Sequence, residues 1–168
     1  MTIDYNAIAA YAALATAIVA ILTIWYEYRR SRFALGVELI MKLDDRFNSK
    51  EMQKKRQIAV ESLPNKGNPS TSEILDFFEL IGLLTRRGAI DEEIVWNTFS
   101  YSIYYYYYLA REYVKEVRKS DPHMWENLDY LHRRLDTVNK RRYKDSDLLP
   151  SEADLKQFLE EEKGLLVN

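Results

Sequence analysis

The stretch that decides the fold covers residues 74–84 and reads ILDFFELIGLL. It is apolar on almost every side, and only Asp76, Glu79 and the small Gly82 interrupt it. A surface helix has one apolar stripe, so a run that is apolar nearly all round indicates a helix buried at the centre of a packed domain. The following Arg86-Arg87-Gly88 is typical of a helix end, where cations meet the negative end of the dipole and glycine forms the C-cap.

Helical patterns and one loop precede this segment. Apolar residues recur at helical spacing over 33–47, and a charged helix follows over 51–63, with Lys54-Lys55-Arg56 expected on its exposed face. Residues 64–69 read PNKGNP and form the clearest loop of the chain. Ser70-Thr71-Ser72-Glu73 has the pattern of a capping box, which predicts that the central helix begins there.

Three more helices are expected after the central one. Asp91 has the position of an N-cap for one long helix that continues to about Lys119. Asp121-Pro122 predicts the start of the next, because proline at the first helical position loses no hydrogen bond, and this helix ends near Lys144. A short acidic helix covers 151–164. No segment shows the alternation of a β-strand, so the sequence predicts an all-α bundle of five or six helices.

The N-terminal segment has the properties of a single transmembrane helix. No charged residue occurs from Tyr5 to Tyr26, and about 20 apolar residues are sufficient to cross a hydrocarbon core. Trp25 provides a ring for the headgroup level, and Arg29 and Arg30 follow. Because basic flanks stay in the cytoplasm, we expect a single-pass protein of the inner membrane, with its N-terminus outside and its domain in the cytoplasm. The alternatives are a cleaved signal peptide, which lacks a basic start here, and a buried core helix, which is usually shorter.

Small residues recur along the expected span at intervals of four. Ala9, Ala13 and Ala17 fall on one face, and such a face lets two transmembrane helices approach closely. This pattern predicts a homo-oligomer whose seam includes these alanines. The alternative is that alanine merely fills an apolar helix.

Charge and composition divide the chain into three parts. Residues 1–30 form the expected anchor with its basic flank, 31–144 the helical cytoplasmic domain, and 145–168 an acidic tail with a short helix. The net charge of −2 hides this partition, since the tail alone has seven acidic residues and two lysines. The domain itself is mildly basic, which suits a small anion but is too weak for duplex DNA. The absence of cysteine excludes disulfides and thiol chemistry.

No arrangement of catalytic or metal-binding residues is recognisable in the sequence. His123 and His132 lie nine residues apart, which is not the spacing of a metal-binding pair on a helix. Asp76 and Glu79 lie one turn apart and are interpreted as the polar stripe of a packed helix, with a catalytic pair as the alternative. We therefore expect no enzyme, no metal and no other cofactor.

The most unusual composition lies in residues 104–108, which are five consecutive tyrosines. Successive helix positions rotate by about 100°, so these rings cover every side of the helix. One interpretation is a platform on which nucleobases stack, with Tyr104, Tyr107 and the nearby Arg111 as ligand contacts. The other is packing in the core or in an oligomer interface.

The following helix has a basic face formed by Arg133, Arg134, Lys140 and Arg141. Arginine binds phosphate through two parallel hydrogen bonds, so these residues are candidate contacts for a small anionic ligand such as a nucleotide. Alternatively, they form a solvated face, contact anionic lipid or pair with the acidic tail.

Four short motifs resemble a bacterial family of small membrane proteins of unknown function. They are FFELIGLL (77–84), GAID (88–91), FSYSIYY (99–105) and RKSDP (118–122), and the similarity covers about 72–131 together with the anchor. The tyrosine run and the acidic tail depart from the family's pattern. The resemblance implies one N-terminal span and a helical cytoplasmic domain, and it carries no catalytic residues.

The architecture is also similar to that of small membrane effectors of antiviral, CRISPR-associated defence. In those proteins a cytosolic domain binds a cyclic oligoadenylate, and oligomeric membrane segments disrupt the bilayer. We therefore expect a membrane-anchored, oligomeric sensor or effector whose helical domain binds a small anionic ligand, with a cyclic nucleotide as the leading candidate. The alternative is a membrane-tethered adaptor that docks another protein and has no small-molecule ligand.

Overall fold

The computed structural model of the protein describes residues 5–63, 67–143 and 150–165, without the side chains at positions 5–10 and 12. Seven helices and no strand occur in these ranges, which confirms the all-α class. The helices are α1 (Tyr5–Phe47), α2 (Lys50–Ser62), α3 (Pro69–Arg86), α4 (Glu92–Leu109), α5 (Arg111–Val117), α6 (Glu126–Arg142) and α7 (Glu152–Lys163).

The chain divides into two compact units, Met1–Leu35 and Gly36–Asn168, which we call the N-terminal unit and the helical domain. Twelve large apolar side chains described in the N-terminal unit are exposed. They are Tyr11, Leu14, Ile18, Val19, Ile21, Leu22, Ile24, Trp25, Tyr26, Tyr28, Phe33 and Leu35. Among the described residues, no helix is both long enough and apolar enough to cross a membrane. Part of the expected span, Tyr5–Tyr26, lies outside the described residues, because the structure does not describe the side chains at positions 5–10 and 12.

The helical domain is organised around α3, as the nearly continuous apolar sequence of this helix predicts. Ile74, Phe78 and Ile81 are completely buried, and α3 packs against α2, α4 and α6. Burying a side chain of this size stabilises a fold by roughly 1.5–3 kcal/mol. Gly88 follows the helix in the left-handed conformation, with a φ of 67°, so α3 ends where the sequence indicates.

Four phenylalanines connect α1, α3 and α4 within the domain. The ring of Phe47 stacks on Phe77 with centroids 5.3 Å apart, and it meets Phe99 edge-on at 5.6 Å. Phe78 lies 5.6 Å from both Phe47 and Phe77. Such aromatic pairs contribute roughly 0.5–1.5 kcal/mol each beyond the burial of their area. The last turn of α1 is thereby fixed to the centre of the domain.

The contact between α3 and α6 depends on one carboxylate. Glu79 accepts hydrogen bonds from the backbone amides of Asn127 (3.2 Å) and Leu128 (2.7 Å), and from the Asn127 side-chain amide (2.7 Å). These backbone amides lie in the first turn of α6, where no intrahelical acceptor exists and where the helix dipole favours negative charge. On the next turn of α3, a Cβ at Gly82 would lie 2.2 Å from the Asn127 carbonyl oxygen. Glu79 therefore caps α6, and the absence of a side chain at Gly82 lets the first turn of α6 approach α3 closely.

Asp76 and Arg118 complete this junction. Trp125 donates its indole N–H to Asp76 at 2.7 Å, and Arg118 donates to the carbonyls of Met124 (2.8 Å) and Trp125 (3.1 Å). Trp125 directly precedes α6 and has a φ of 57°, a left-handed conformation that is uncommon for a residue other than glycine. These hydrogen bonds hold the unusual backbone in place. Two of the three carboxylates of α3, Asp76 and Glu79, thus position the start of α6.

The start of α3 differs from the sequence-based expectation. The helix begins at Pro69, before the expected capping box Ser70-Thr71-Ser72-Glu73. The capping box is formed instead by Asn68 and Thr71, whose side chains each accept from the other's backbone amide. Proline occupies the first helical position, where its missing amide costs nothing.

The boundaries of α4, α5 and α6 also differ from expectation. The helix expected to continue to Lys119 is divided at Ala110, whose backbone (φ −85°, ψ −1°) departs from α-helical geometry. The next helix begins at Glu126 and not at Asp121-Pro122, because residues 122–125 form turns and the cap comes from Glu79. A cap supplied by another helix leaves no signal in the local sequence.

Arg56 is buried, although the sequence predicts it on an exposed face of α2. Its guanidinium binds the carboxylate of Glu162 in α7, with Nε 2.8 Å from Oε2, and lies 4.0 Å from the centroid of the Phe47 ring. Tyr106 donates its hydroxyl to the same carboxylate at 2.8 Å. Burial raises the pKa of the Tyr106 phenol well above its ordinary value of 10.0, so it remains a donor. One buried network therefore joins α2, α4 and α7.

Replacing Glu79 with alanine leaves three donors at the start of α6 without their acceptor. We expect a loss of about 2–3 kcal/mol in the free energy of unfolding, within the range for hydrogen bonds to a charged group. Thermal unfolding of the full chain in mild detergent, followed by circular dichroism, measures this loss. Glu73→Ala is the matched control, since Glu73 lies on the same helix in an ion pair whose two side chains are 48% and 29% exposed, and it should cost under about 0.5 kcal/mol. Equal losses for the two variants would contradict the capping role.

Replacing Arg56 with alanine leaves the charge of Glu162 buried without its cation. We expect this variant to lose about 3–5 kcal/mol of stability. Substituting the whole network, Arg56→Met with Tyr106→Phe and Glu162→Leu, removes the buried charges together and should cost less than the single substitution. The same unfolding measurement ranks the two variants. A triple variant that is less stable than Arg56→Ala would show that this account of the network is wrong.

Candidate anion-binding site

A partly open pocket of about 350 Å³ lies in the helical domain between α5 and α6. Its lining residues come from the end of α4, from α5 and the turn after it, and from α6. They are Tyr107, Arg111, Val114, Lys115, Arg118, Lys119 and Asp129. Four of these seven residues are cations and one is an acid, so the composition of the pocket favours an anionic ligand.

Spacing along the chain explains how these residues come to share one surface. Two rows recur at intervals of four. The first contains Tyr107, Arg111, Lys115 and Lys119, and the second contains Val114 and Arg118. Within α5, Arg111 and Lys115 lie four residues apart and therefore on one side of the helix, with Val114 beside them. Tyr107, before the break at Ala110, and Arg118 and Lys119, in the turn after α5, extend this surface. Asp129 is the contribution of α6 to this pocket.

The one acid of the pocket is neutralised by its neighbours. Asp129 forms an ion pair with Arg118 at 2.8 Å and accepts a hydrogen bond from the Tyr107 hydroxyl at 3.2 Å. Arg118 also binds the two carbonyls before α6, so the fold itself determines its position. Arg118 and Asp129 therefore form a wall with little net charge.

Three cations remain to set the electrostatic potential of the pocket: Arg111, Lys115 and Lys119. Arg111 is exposed, and within the described part of the chain it forms no ion pair with an acid. Lys115 and Lys119 each pair with a glutamate one turn earlier, at exposed positions. Exposed pairs of this kind contribute little in water, so a more highly charged anion can compete for both lysines.

Aromatic contacts with His132 of α6 fix the position of the Tyr107 ring. This ring stacks on His132 with centroids 4.1 Å apart, and Tyr104 meets the same imidazole edge-on at 5.1 Å. Burial raises the pKa of both phenols and lowers the pKa of His132, so all three groups are neutral near pH 7. Tyr107 therefore presents an uncharged aromatic wall.

The pocket contains part of the ligand set that the sequence suggests. Tyr107 and Arg111 line it, whereas Tyr104 is buried in the core, and its hydroxyl has no hydrogen-bond partner among the described residues. Lys115 and Lys119 are not among the ligand contacts that the sequence predicts. The interval of four residues from Tyr107 through Arg111 could have indicated both lysines. Glu112 and Glu116, which directly follow Arg111 and Lys115, make this stretch look like an ordinary charged helix.

The basic face expected on α6 lies outside this pocket. Arg134 and Arg141 both bind Glu92 at the start of α4, at 2.7 and 2.6 Å. Lys140 pairs with an acid one turn earlier on α6 at 2.8 Å, and Arg133 is exposed. Most of this face is thus neutralised within the domain.

Several rings of the tyrosine-rich segment pack against α7. Tyr105 stacks on Phe158 at 4.8 Å, and Tyr106 meets the same ring edge-on at 5.2 Å. Tyr101 donates its hydroxyl to Glu161 at 2.9 Å. Because Tyr104 and Tyr107 contact α6, the run faces both neighbouring helices, as consecutive rings on a helix must.

The residues expected in the anchor and the oligomer seam belong to the N-terminal unit. Ala9 lies outside the described side chains. Ala13, Ala17, Trp25, Arg29 and Arg30 are all exposed. The guanidinium carbon of Arg29 lies 4.9 Å from the centroid of the Trp25 ring.

Fold and pocket together define a small all-α domain with a candidate anion site. Residues 10–135 match the model of a family described as Domain of unknown function (DUF4760), and the match covers most of the chain. The chain belongs to this family. The expectation of a family of unknown function is therefore confirmed, whereas the match does not bear on the similarity to antiviral effectors. No curated protein and no solved structure matches the chain.

The lowered pKa of His132 predicts a pH dependence of stability. The folded domain holds the imidazole neutral, while the unfolded chain takes up a proton near the ordinary value of 6.5. The contribution of His132 is thus complete above about pH 6.5 and is lost as the pH falls through the lowered pKa of the folded state. Between about pH 7.5 and 5.5, the melting temperature should therefore fall less for His132→Gln than for the wild type.

His123→Gln is the control for this measurement, since it replaces the other histidine of the chain, whose side chain is 88% exposed. It should keep the wild-type slope of melting temperature against pH. If His132→Gln kept that slope too, the buried imidazole would not be the source of the pH dependence.

Proposed function

We propose that the chain is a membrane-anchored sensor whose helical domain binds a small phosphate-bearing ligand, with a cyclic or linear nucleotide as the first candidate. The observation that carries the proposal is the pocket between α5 and α6. There Arg111, Lys115 and Lys119 lie beside an uncharged surface of Tyr107 and Val114. Phosphates bind to cations, and nucleobases bind to apolar or aromatic surfaces. The pocket offers both kinds of surface to one ligand.

The dimensions of the pocket favour a small ligand. Its volume of about 350 Å³ lies near the lower end of the roughly 300–1,000 Å³ that is typical of small-molecule sites. A mononucleotide, or one unit of a cyclic oligonucleotide, suits this range better than a long polymer does. Arg111 is the principal phosphate contact in this proposal, because its guanidinium presents several donors in one plane.

Exposed apolar side chains support a membrane anchor in the N-terminal unit. Leu14 and Ile18 are each more than half exposed, as are the other large apolar residues described there, although water disfavours such a surface. Thr23 donates its hydroxyl to the Val19 carbonyl at 2.9 Å, so this polar group needs no water. We place the span over Tyr5–Tyr26 in the inner membrane, with the helical domain in the cytoplasm, because arginines follow it.

An oligomeric arrangement is part of the proposal. Ala13 and Ala17 are exposed and lie four residues apart, a spacing at which small residues promote association of membrane helices. A ligand that binds one arrangement of the oligomer more tightly than another shifts the population towards that arrangement. This differential affinity is the route by which ligand binding would act on the membrane segment.

One observation favours a different function, that of a membrane-tethered adaptor that docks another protein. Leu80 and Leu83 are 37% and 39% exposed, although the other large apolar residues of α3 are buried or half-buried. They lie three residues apart and therefore on one side of the helix. An exposed leucine pair can be the centre of a small protein contact.

Arg111 and Lys115 provide the test of the ligand site. We expect the full chain in lipid nanodiscs to bind adenosine monophosphate or a cyclic oligoadenylate in calorimetric titrations, and to bind inorganic phosphate more weakly. Arg111→Gln with Lys115→Gln should weaken nucleotide binding at least about tenfold, since hydrogen bonds to charged groups contribute roughly 1.5–3 kcal/mol each.

The control variant is Lys54→Gln with Arg87→Gln, which removes two exposed cations outside the pocket and should keep the wild-type affinity. A third variant, Arg133→Gln with Arg134→Gln, tests the basic face suggested by the sequence. If only this third variant lost binding, the pocket would be the wrong site. If no nucleotide bound and Leu80→Ala with Leu83→Ala released a specific partner protein, the adaptor would be the better description.

A further inference from the structure

We infer that residues 25–32 form a binding surface for the phosphates of anionic lipids, a selectivity that goes beyond anchoring and rests on the proposed membrane span. The stretch reads WYEYRRSR and contains three arginines, three aromatic residues and one acid. All eight residues are exposed. The surface therefore has a positive net charge and direct access to its surroundings.

Each arginine of this surface follows an aromatic residue by four positions. The pairs are Trp25 and Arg29, Tyr26 and Arg30, and Tyr28 and Arg32. Residues four apart are neighbours on a helix. In two pairs the contact is formed, because the Cζ atom of Arg29 lies 4.9 Å from the Trp25 centroid and that of Arg32 lies 5.7 Å from the Tyr28 centroid. The rings thus restrict where these guanidinium groups lie.

The donors of these arginines are suited to phosphate oxygens. A guanidinium over an aromatic ring is attracted by the ring face, and this contact consumes none of its N–H groups. Within the described part of the chain, neither Arg29 nor Arg30 forms an ion pair or a side-chain hydrogen bond. The N–H donors of Arg29 and Arg30 can therefore bind phosphate oxygens in pairs. They lie next to aromatic rings, which favour the boundary between the hydrocarbon core and the headgroups.

The position of the surface along α1 corresponds to one headgroup layer. Trp25 lies at the end of the uncharged run, and the three arginines, from Arg29 to Arg32, lie within about 4.5 Å along the helix axis at 1.5 Å per residue. The headgroup region of one leaflet is on the order of 5–8 Å thick. At about 100° per residue, Arg29, Arg30 and Arg32 are spread over roughly 160° around the helix. More than one lipid can therefore bind at the same time.

Lipid phosphate is a better occupant of this surface than free phosphate. Exposed cations bind a dissolved anion weakly in water, whereas a span in the bilayer holds these arginines permanently among headgroups at high local concentration. Zwitterionic lipids carry their own cation, which competes with the arginines for the phosphate. The net attraction is therefore greatest for lipids with a net negative charge.

The test measures which lipids lie next to the protein. The full chain is reconstituted into phosphatidylcholine vesicles, and spin-labelled phosphatidylglycerol and phosphatidylcholine are compared by electron spin resonance as boundary lipids. We expect the association constant for phosphatidylglycerol to be about three- to tenfold higher, given the known attraction of basic residues to anionic leaflets. Replacing Arg29, Arg30 and Arg32 together with glutamine should reduce this ratio to about one.

Two further variants separate charge from placement. Trp25→Leu with Tyr28→Leu keeps all three cations but removes the two rings that contact Arg29 and Arg32, and it should lower the ratio without abolishing it. Lys50→Gln with Lys54→Gln and Arg87→Gln removes the same charge from the helical domain and should keep the wild-type ratio.

The possible failures have different meanings. A boundary-lipid signal with equal affinity for both lipids would overturn the lipid surface while leaving the proposed span intact. The absence of any boundary-lipid signal would overturn the span, and this surface with it. An unchanged ratio in the Trp25→Leu and Tyr28→Leu variant would contradict the role of the rings.

Discussion

The carboxylate of Glu79 determines where α6 begins, and the packing of the helical domain depends on that position. α6 has no side-chain cap of its own and follows Trp125, which has a left-handed backbone. Without Glu79, the first amides of α6 would face a part-buried site with no acceptor. Because α6 contributes Asp129 to the pocket and His132 to the wall behind it, the same carboxylate also positions the candidate site.

Two arginines of the domain stabilise its fold, whereas a third, Arg111, remains exposed at the pocket. Arg56 is buried against Glu162, and Arg118 joins the start of α6 to Asp129. Arg111 has no acidic partner among the described residues. This division separates arginines that stabilise the fold from one that is available to a ligand. A cluster of basic residues in a sequence is therefore weak evidence for a site until its acidic partners are known.

The two proposed binding surfaces use the same local chemistry. Arg111 lies 5.2 Å from the ring centroid of Tyr108 at the pocket, and Arg29 lies 4.9 Å from that of Trp25 in the N-terminal unit. In both places an aromatic ring restricts a long flexible side chain and reduces the entropy that phosphate binding must overcome. The surfaces differ in surroundings, since one is a pocket beside α6 and the other an exposed stretch of helix.

The sequence by itself determined the features that depend only on residues close together along the chain. The all-α class, the buried helix over 74–84 and its end at Gly88 follow from apolar spacing and capping, which are local properties. Tertiary structure decided the rest. The burial of Arg56 depends on Glu162, 106 residues away, and the start of α6 depends on Glu79, 48 residues before Asn127. The pocket takes six of its seven lining residues from 107–119, and only Asp129 comes from α6. The roles of Arg56 and Glu79 could not be read from the sequence, because partners that distant leave no pattern in a single stretch of chain.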